Sequence, residues 1–168
     1  MSTELRMFSA EQVRDVARQL VAAEPLLHSL PAERLAERCG WRVCDAETYD
    51  FMIQADLGLG VAECLLYISR ADAGGVDSIS AALCDNARRP IPPEAAAVIR
   101  DTFAIASRVL IELFGPPAGR EPGALPELRW RRPAATLVLT QSTTTTRLAV
   151  YNTVDYDDKL EKAANEHE

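Results

Sequence analysis

The stretch PPEAAAVIRDTFAIASRVLIELFGPP, residues 92–117, contains a long amphipathic segment. Its apolar side chains repeat at the three- and four-residue spacing of one helix face, at Ile99, Phe103, Ala106, Leu110 and Leu113. Prolines in a first helical turn cost little, because the donor that proline lacks would have no partner there. A glycine and two prolines end the segment. The pattern predicts a helix from about Pro93 to Phe114 that packs across a sheet.

Strand patterns lie on both sides of this helix. Four runs between residues 41 and 85 have strand character: WRVCDA, YDFMIQADL, AECLLYISR and VDSISAALCD. The connections between them are short, which predicts an antiparallel meander. After the helix we expect a connecting loop over residues 116–126 and then three more strands in ELRWRR, ATLVLTQ and TRLAVYN. The last two predict a hairpin that turns in STTT.

Two helices are predicted before the first strand. Ser9 and Gln12 have the spacing of a capping box, so a helix begins there and ends at Pro25. A shorter helix has Pro31 in its first turn and Gly40 at its C-terminal end. The sequence therefore predicts an α+β fold, in which an antiparallel β-meander sheet carries an N-terminal helical pair and a long central helix. We expect a single domain over residues 1–168, with an acidic tail that frays from about residue 158.

Composition limits the classes of function. The chain has 168 residues, of which 48% are hydrophobic, and a net charge of −7. A negative field of this kind disfavours nucleic acid and favours a basic protein partner. No apolar run approaches the roughly 18 residues that cross a bilayer, and the first residues lack a basic region followed by an apolar one. We therefore expect a cytoplasmic protein that binds no membrane.

The sequence contains no set of residues typical of a catalytic, cofactor or metal site. The cysteines lack the paired spacing of zinc ligands, and His28 and His167 lie far apart and have no obvious partner for a serine triad. The GLG stretch lacks the third glycine of a dinucleotide site, and a strand pattern follows it where a helix is needed. Cysteines within apolar runs, such as Cys64 and Cys84, are expected to be small core residues. The sequence predicts no catalytic residue, no cofactor and no metal.

The segment RWRRPAATLVLTQSTTTTRLAVY, residues 129–151, raises the question of a binding loop. Alternation places Leu137 and Leu139 on the core face, with Leu148 and Val150 beside them on the returning strand. The threonines suit the solvent face and the end of a hairpin, and a ligand-binding loop is the alternative.

Five charged residues are candidate contacts with a partner. Alternation sends Arg129 and Arg131 to the face opposite Trp130, where their guanidinium groups would meet phosphate or carboxylate. Pairing with internal carboxylates is the alternative that we favour. An acidic segment with Asp155, Asp157 and Asp158 follows the last strand. We predict that these carboxylates face a basic cleft of the partner. The alternative is that the segment is a solvated tail.

Five parts of the chain follow one another in this order: LAERCGW, strands, a long helix ending in LFGPP, LPELRWRRPAATLVL and RLAVYNTVDYDD. This order resembles that of a family of uncharacterised proteins from high-GC Gram-positive bacteria. Its marks are Gly40 with Trp41, the GPP element at residues 115–117, and Trp130. Such small acidic α+β proteins resemble the immunity partners of secreted polymorphic toxins. The resemblance implies a non-enzymatic, antitoxin-like protein that covers the active site of a toxin domain, as a monomer or weak homodimer. It brings no active-site residue with it.

Two other functions stay open at this point. Small acidic proteins with helices on an antiparallel meander also resemble chaperones or adaptors for secreted proteins, which usually dimerise. A small-molecule-binding domain or an enzyme without a recognisable motif is the third possibility, and a deep pocket with convergent polar groups would favour it.

Overall fold

The structure is a computed structural model that describes residues 4–59, 65–72, 74–152, 161, 162 and 164–166. The helices are α1 (Ala10–Ala23), a short 3₁₀ helix (Glu24–Leu26), α2 (Ala32–Arg38) and α3 (Pro93–Phe114). The strands are β1 (Arg42–Tyr49), β2 (Met52–Asp56), β3 (Leu65–Arg70), β4 (Val76–Ala82), β5 (Gly119–Glu121), β6 (Glu127–Arg131), β7 (Ala135–Gln141) and β8 (Thr146–Asn152). No helix within these described residues is long and apolar enough to cross a membrane.

The strands form one eight-stranded sheet in the order β1-β2-β3-β4-β8-β7-β6-β5. Every neighbouring pair is antiparallel. Strands β1–β4 are one meander and β5–β8 another, and β4 joins β8 with Ile79 opposite Val150. The predicted α+β class, with an antiparallel sheet, an N-terminal helical pair and a long central helix, is confirmed.

The N-terminal helix α1 begins at the predicted capping box. The Ser9 hydroxyl accepts the Gln12 N–H at 3.2 Å, and the Gln12 side-chain oxygen accepts the Ser9 N–H at 2.9 Å. The two bonds satisfy donors that have no partner within the helix. The apolar side of α1 is fully buried against α3 and β8, as the positions of Val13, Val16 and Leu20 show.

Helix α3 has the predicted bounds and lies on β7 and β8. Ile99, Ala106 and Leu110 are buried, while Phe103 and Leu113 are half-buried and pack against the same core. The helix ends because Gly115 adopts φ = 81°, which favours glycine, and its N–H still donates to the Ile111 carbonyl at 2.8 Å.

The prediction of a plain connecting loop over residues 116–126 is wrong, because the loop contains the short strand β5. Its residues, GRE, have little β-propensity, so no local pattern marks them. The strand forms by pairing with β6, where Gly119 lies opposite Arg129 and the Ala118 N–H donates to the Arg129 carbonyl at 2.8 Å.

The β7–β8 hairpin turns at residues 142–145 as predicted, and Leu137 and Leu139 face Val150 and Leu148 in the core. The expectation of solvent-facing threonines is wrong for two of them. Thr145 and Thr146 are buried. Their hydroxyl groups donate to the Cys84 carbonyl at 3.0 Å and to the Ile99 carbonyl at 2.8 Å. Burial is tolerated because each hydroxyl has a partner.

Candidate functional site

The free end of the sheet exposes two aromatic side chains. We call residues 42–56 the edge hairpin; it consists of β1, its turn and β2, and β1 is the outermost strand of the described sheet. Phe51 is 60% exposed and Tyr49 is 42% exposed. Their ring centroids lie 5.4 Å apart, so the two rings form one apolar patch at the tip.

A bulged stretch of β1 positions this patch. Asp45 lies opposite Gln54 and Tyr49 opposite Met52, so β1 advances by more residues than β2 between the two pairs. The Asp45 carboxylate holds the extra residues, because it accepts the N–H of Glu47 at 2.9 Å, the N–H of Thr48 at 3.0 Å and the Thr48 hydroxyl. These hydrogen bonds, that of the Thr48 side chain first, lower the pKa of Asp45.

The edge hairpin is also acidic. It contains four carboxylates and one guanidinium group, which leaves a net charge of −3 on residues 42–56. Arg42 pairs with Asp56 at 3.3 Å, whereas Glu47 and Asp50 are exposed near the aromatic tip. Aromatic residues are enriched in protein interfaces, and carboxylates around them select a basic partner.

Protection of an exposed sheet edge explains part of the charge and the bulge of the edge hairpin. Charges and bulges on an edge strand prevent pairing with a second sheet. They do not require aromatic side chains, and two exposed rings at the same edge work against that protection. The exposed pair of Tyr49 and Phe51 is therefore the feature that points to a binding surface.

The exposed aromatic pair was not predicted from the sequence. The second strand was expected to begin at Tyr49, whereas Tyr49 ends β1 and residues 50 and 51 form the turn. Aromatic residues favour strands, so the run YDFMIQADL resembled a continuous strand. The signal that was present is an aspartate between two aromatic residues, which is an unusual composition for a buried strand.

The predicted contacts Arg129 and Arg131 have different environments. Both lie on the face opposite Trp130, as predicted, and Trp130 is buried. The Arg129 side chain is only 18% exposed and pairs with Glu121 at 2.7 Å and Glu127 at 3.4 Å. The favoured alternative of internal carboxylate partners is thus confirmed for Arg129. Arg131 is exposed.

The other predicted contacts, Asp155, Asp157 and Asp158, lie outside the described residues. Their role at an interface stays a prediction.

The two tryptophans join helices to other elements. The Trp130 indole N–H donates to the Gly115 carbonyl at 2.9 Å, so β6 is attached to the C-terminal end of α3. The Trp41 indole N–H donates to the Gln19 side chain at 2.8 Å, and the Trp41 backbone N–H donates to the Ala36 carbonyl at the end of α2. The residues that carry the resemblance therefore have structural contacts.

Among the described residues, His28 and the cysteine side chains form no recognisable reaction centre. His28 contacts the Asn152 side chain at 3.0 Å and the Ala134 carbonyl at 3.4 Å. Cys84 is buried, as expected, and burial raises the pKa of the half-buried Cys39 thiol. Cys64 lies outside the described residues. Within the described part of the chain, no three His, Cys, Asp or Glu residues gather at metal-binding distance; the absence of a metal stays a prediction.

Residues 11–152 match a family described as a family of unknown function (DUF6301). The chain belongs to the DUF6301 family. The matched residues include the edge hairpin and both tryptophans, whereas the acidic segment from Asp155 onward lies beyond them. The candidate surface on this DUF6301 protein thus lies within the matched residues.

The comparison with curated proteins finds no match for this DUF6301 chain. Among solved structures, it is similar to a DUF4309 family protein (YjgB) from Bacillus subtilis subsp. subtilis str. 168, with 9% sequence identity and a TM-score of 0.48. The alignment covers 86% of this chain and 97% of that chain. A likeness of this size carries no argument about function.

Proposed function

We propose that this protein is a non-enzymatic immunity factor, similar to an antitoxin, that acts in the cytosol and neutralises a secreted toxin domain by covering its active site. The observation that carries the proposal is the aromatic tip of the acidic edge hairpin. Tyr49 and Phe51 supply the apolar anchors of the interface. Glu47 and Asp50 supply charge complementary to a basic cleft.

The aromatic rings and the carboxylates are expected to contribute differently to binding. Large aromatic side chains commonly contribute most of the binding free energy when they enter a pocket of the partner. Exposed carboxylates contribute less affinity but accelerate encounter with a cation-lined cleft. A net charge of −7 adds to this attraction. Fast and tight association is what neutralising a toxin requires.

The proposal requires a neighbouring reading frame that encodes a toxin domain, and co-expression with the product of that frame tests it. We expect the wild type to restore growth and Phe51→Ser to lose this protection, because the variant removes the more exposed of the two aromatic anchors. Leu125→Ser is the matched control, since Leu125 is 53% exposed but lies in the β5–β6 loop. It should protect as the wild type does. Equal protection by all three proteins, at equal expression, would remove the edge hairpin from the interface.

The carboxylates have their own expected effect. Replacing Glu47 by Gln together with Asp50 by Asn should slow association with the purified toxin domain about tenfold or less at low salt, and should leave dissociation nearly unchanged. Stopped-flow or surface-based kinetics at two salt concentrations measure both rates. An association rate that stays independent of salt in the wild type contradicts the electrostatic part of the proposal.

A chaperone or adaptor for a secreted protein is the second candidate. The observation that favours it is the outer edge of β1, next to which the described part of the chain places no further strand. Such an edge accepts an extended segment as an added strand. Hydrogen exchange separates the two functions. An added strand protects the outward N–H groups of β1, whereas a folded domain held by the two rings leaves them exchanging.

A further inference from the structure

A groove lies on a second part of the surface, formed by the first half of α3, the β5–β6 loop and the β7–β8 turn. Its volume is about 840 Å³. We call it the helix groove and define it by Ile91, Ala96, Ile99, Arg100, Leu125 and Gln141. Cavities of about 300 to 1,000 Å³ are typical of sites for small molecules.

The lining of the helix groove is mainly apolar and partly made of small residues. Ile99 is buried and belongs to a small core with Cys84 and Ala95. Two residues of the lining, Ala96 and Gly123, are small. Leu125 contributes an apolar wall that is 53% exposed. Exposed apolar surface of this kind gains free energy when a hydrocarbon body covers it.

The charged groups at the helix groove are guanidinium groups. Arg100 belongs to the lining and is exposed. Arg89 donates to the hydroxyl of Thr143, another lining residue, at 3.1 Å. None of the ion pairs among the described residues involves either arginine. In a chain with a net charge of −7, these two cations beside an apolar groove favour an anionic ligand.

We propose that the helix groove binds a small amphiphile with a hydrocarbon body and one carboxylate group. The body covers Ile91 and Leu125 above the buried Ile99, and the carboxylate accepts hydrogen bonds from the Arg100 guanidinium group, whose planar fork matches it. A singly charged head suits a groove whose lining contains one guanidinium group. The Gln141 side chain is a further hydrogen-bonding group at the site. This site is separate from the edge hairpin and does not depend on the proposed immunity function.

Binding of decanoate, measured by isothermal titration calorimetry below its micelle concentration, tests the proposal. We expect saturable binding with one site in the wild type, and weaker binding of decanol, which has the same body without the charge. Arg100→Gln should weaken decanoate binding about fivefold, the size expected for an exposed ion pair. Arg108→Gln is the matched control, because Arg108 is exposed on the same helix outside the groove; it should bind as the wild type does.

A second pair of variants tests the position of the site. Ala96→Phe fills the helix groove and should abolish saturable binding, whereas Ala104→Phe adds the same ring to an exposed position of α3 and should not. Circular dichroism of each variant shows whether it is folded. Absence of saturable decanoate binding to the wild type would overturn the proposal. So would equal affinity for decanol, or unchanged binding by folded Ala96→Phe.

Discussion

At the scale of single residues, buried hydroxyl groups connect elements that are distant in the sequence. Thr146 is fully buried, and its hydroxyl donates to the Ile99 carbonyl within α3, 47 residues away. Thr145, its neighbour, donates to the Cys84 carbonyl after β4. The β7–β8 turn is therefore attached to both the central helix and the other meander. Two threonines of a run that resembles a polar turn therefore form tertiary hydrogen bonds.

Replacing Thr146 by Val tests how much the hydrogen bond of its buried hydroxyl group stabilises the fold. The new side chain has nearly the same shape but lacks the donor, so the free energy of unfolding should fall by about 1 to 3 kcal/mol. Urea denaturation followed by circular dichroism measures the change. Thr143→Val is the control from the same run, and because Thr143 is exposed its effect should stay within about 0.5 kcal/mol. Equal losses in both variants would contradict a special role for the buried hydroxyl.

At the scale of elements, irregular geometry places the candidate binding surface. A regular β1–β2 hairpin would continue its ladder to the turn, whereas the bulged stretch after Asp45 inserts extra residues and carries Tyr49 to the tip beside Phe51. The Asp45 carboxylate replaces backbone pairing there with bonds to Glu47 and Thr48. Hydrogen bonds to the carboxylate of Asp45 thus hold this part of the edge hairpin.

The edge hairpin should consequently respond to acid. The pKa of Asp45 in the folded protein is lowered, so its stabilising effect is complete above the ordinary aspartate pKa of about 4 and is lost as the pH falls through the lower folded value. The amide resonance of Thr48, followed by nuclear magnetic resonance, should titrate with a midpoint below about 4. Asp45→Asn should abolish this titration, and Glu47→Gln should preserve it because the carboxylate of Asp45 remains. A midpoint at or above the ordinary value would contradict the hydrogen-bonded geometry.

At the scale of the whole molecule, the β4–β8 pairing makes one sheet out of two meanders. Ile79 and Val150 are fully buried where the two meet. Helix α2 packs on β1, β2 and β3, while α1 and α3 pack on each other and on the second meander. One hydrophobic cluster contains residues from both meanders, including Ile53 and Leu137. A shared core of this kind favours cooperative unfolding.

The two tryptophans provide a test, since Trp41 precedes the first meander and Trp130 lies in the second. In Trp130→Phe, the remaining Trp41 fluorescence reports on the packing of α1 and α2 at the start of the first meander, and in Trp41→Phe the remaining Trp130 fluorescence reports on the second meander. Within each variant we expect fluorescence and circular dichroism to give the same urea midpoint, because the protein unfolds in one transition. A fluorescence midpoint separated from that of circular dichroism, in either variant, would indicate that the meanders unfold independently.

Elements with a local cause are predictable from the amino-acid sequence. The start of α1 follows from Ser9 and Gln12, the bounds of α3 from its prolines, its apolar period and Gly115, and the β7–β8 hairpin from two alternating runs around a polar turn. Each signal lies within a few residues of the feature it predicts, because caps, periodicity and turns are interactions between near neighbours.

Features that depend on contacts between distant residues are not predictable from local patterns. These include the β4–β8 pairing, the existence of β5, the burial of Thr145 and Thr146, and the carboxylate partners of Arg129. The candidate surfaces belong to the same class. The tip of the edge hairpin depends on the register of β1 against β2, and the helix groove brings together residues of α3, the β5–β6 loop and the β7–β8 turn. Local patterns specify which face of an element is apolar, but the identity of the residues opposite that face depends on which elements pack together.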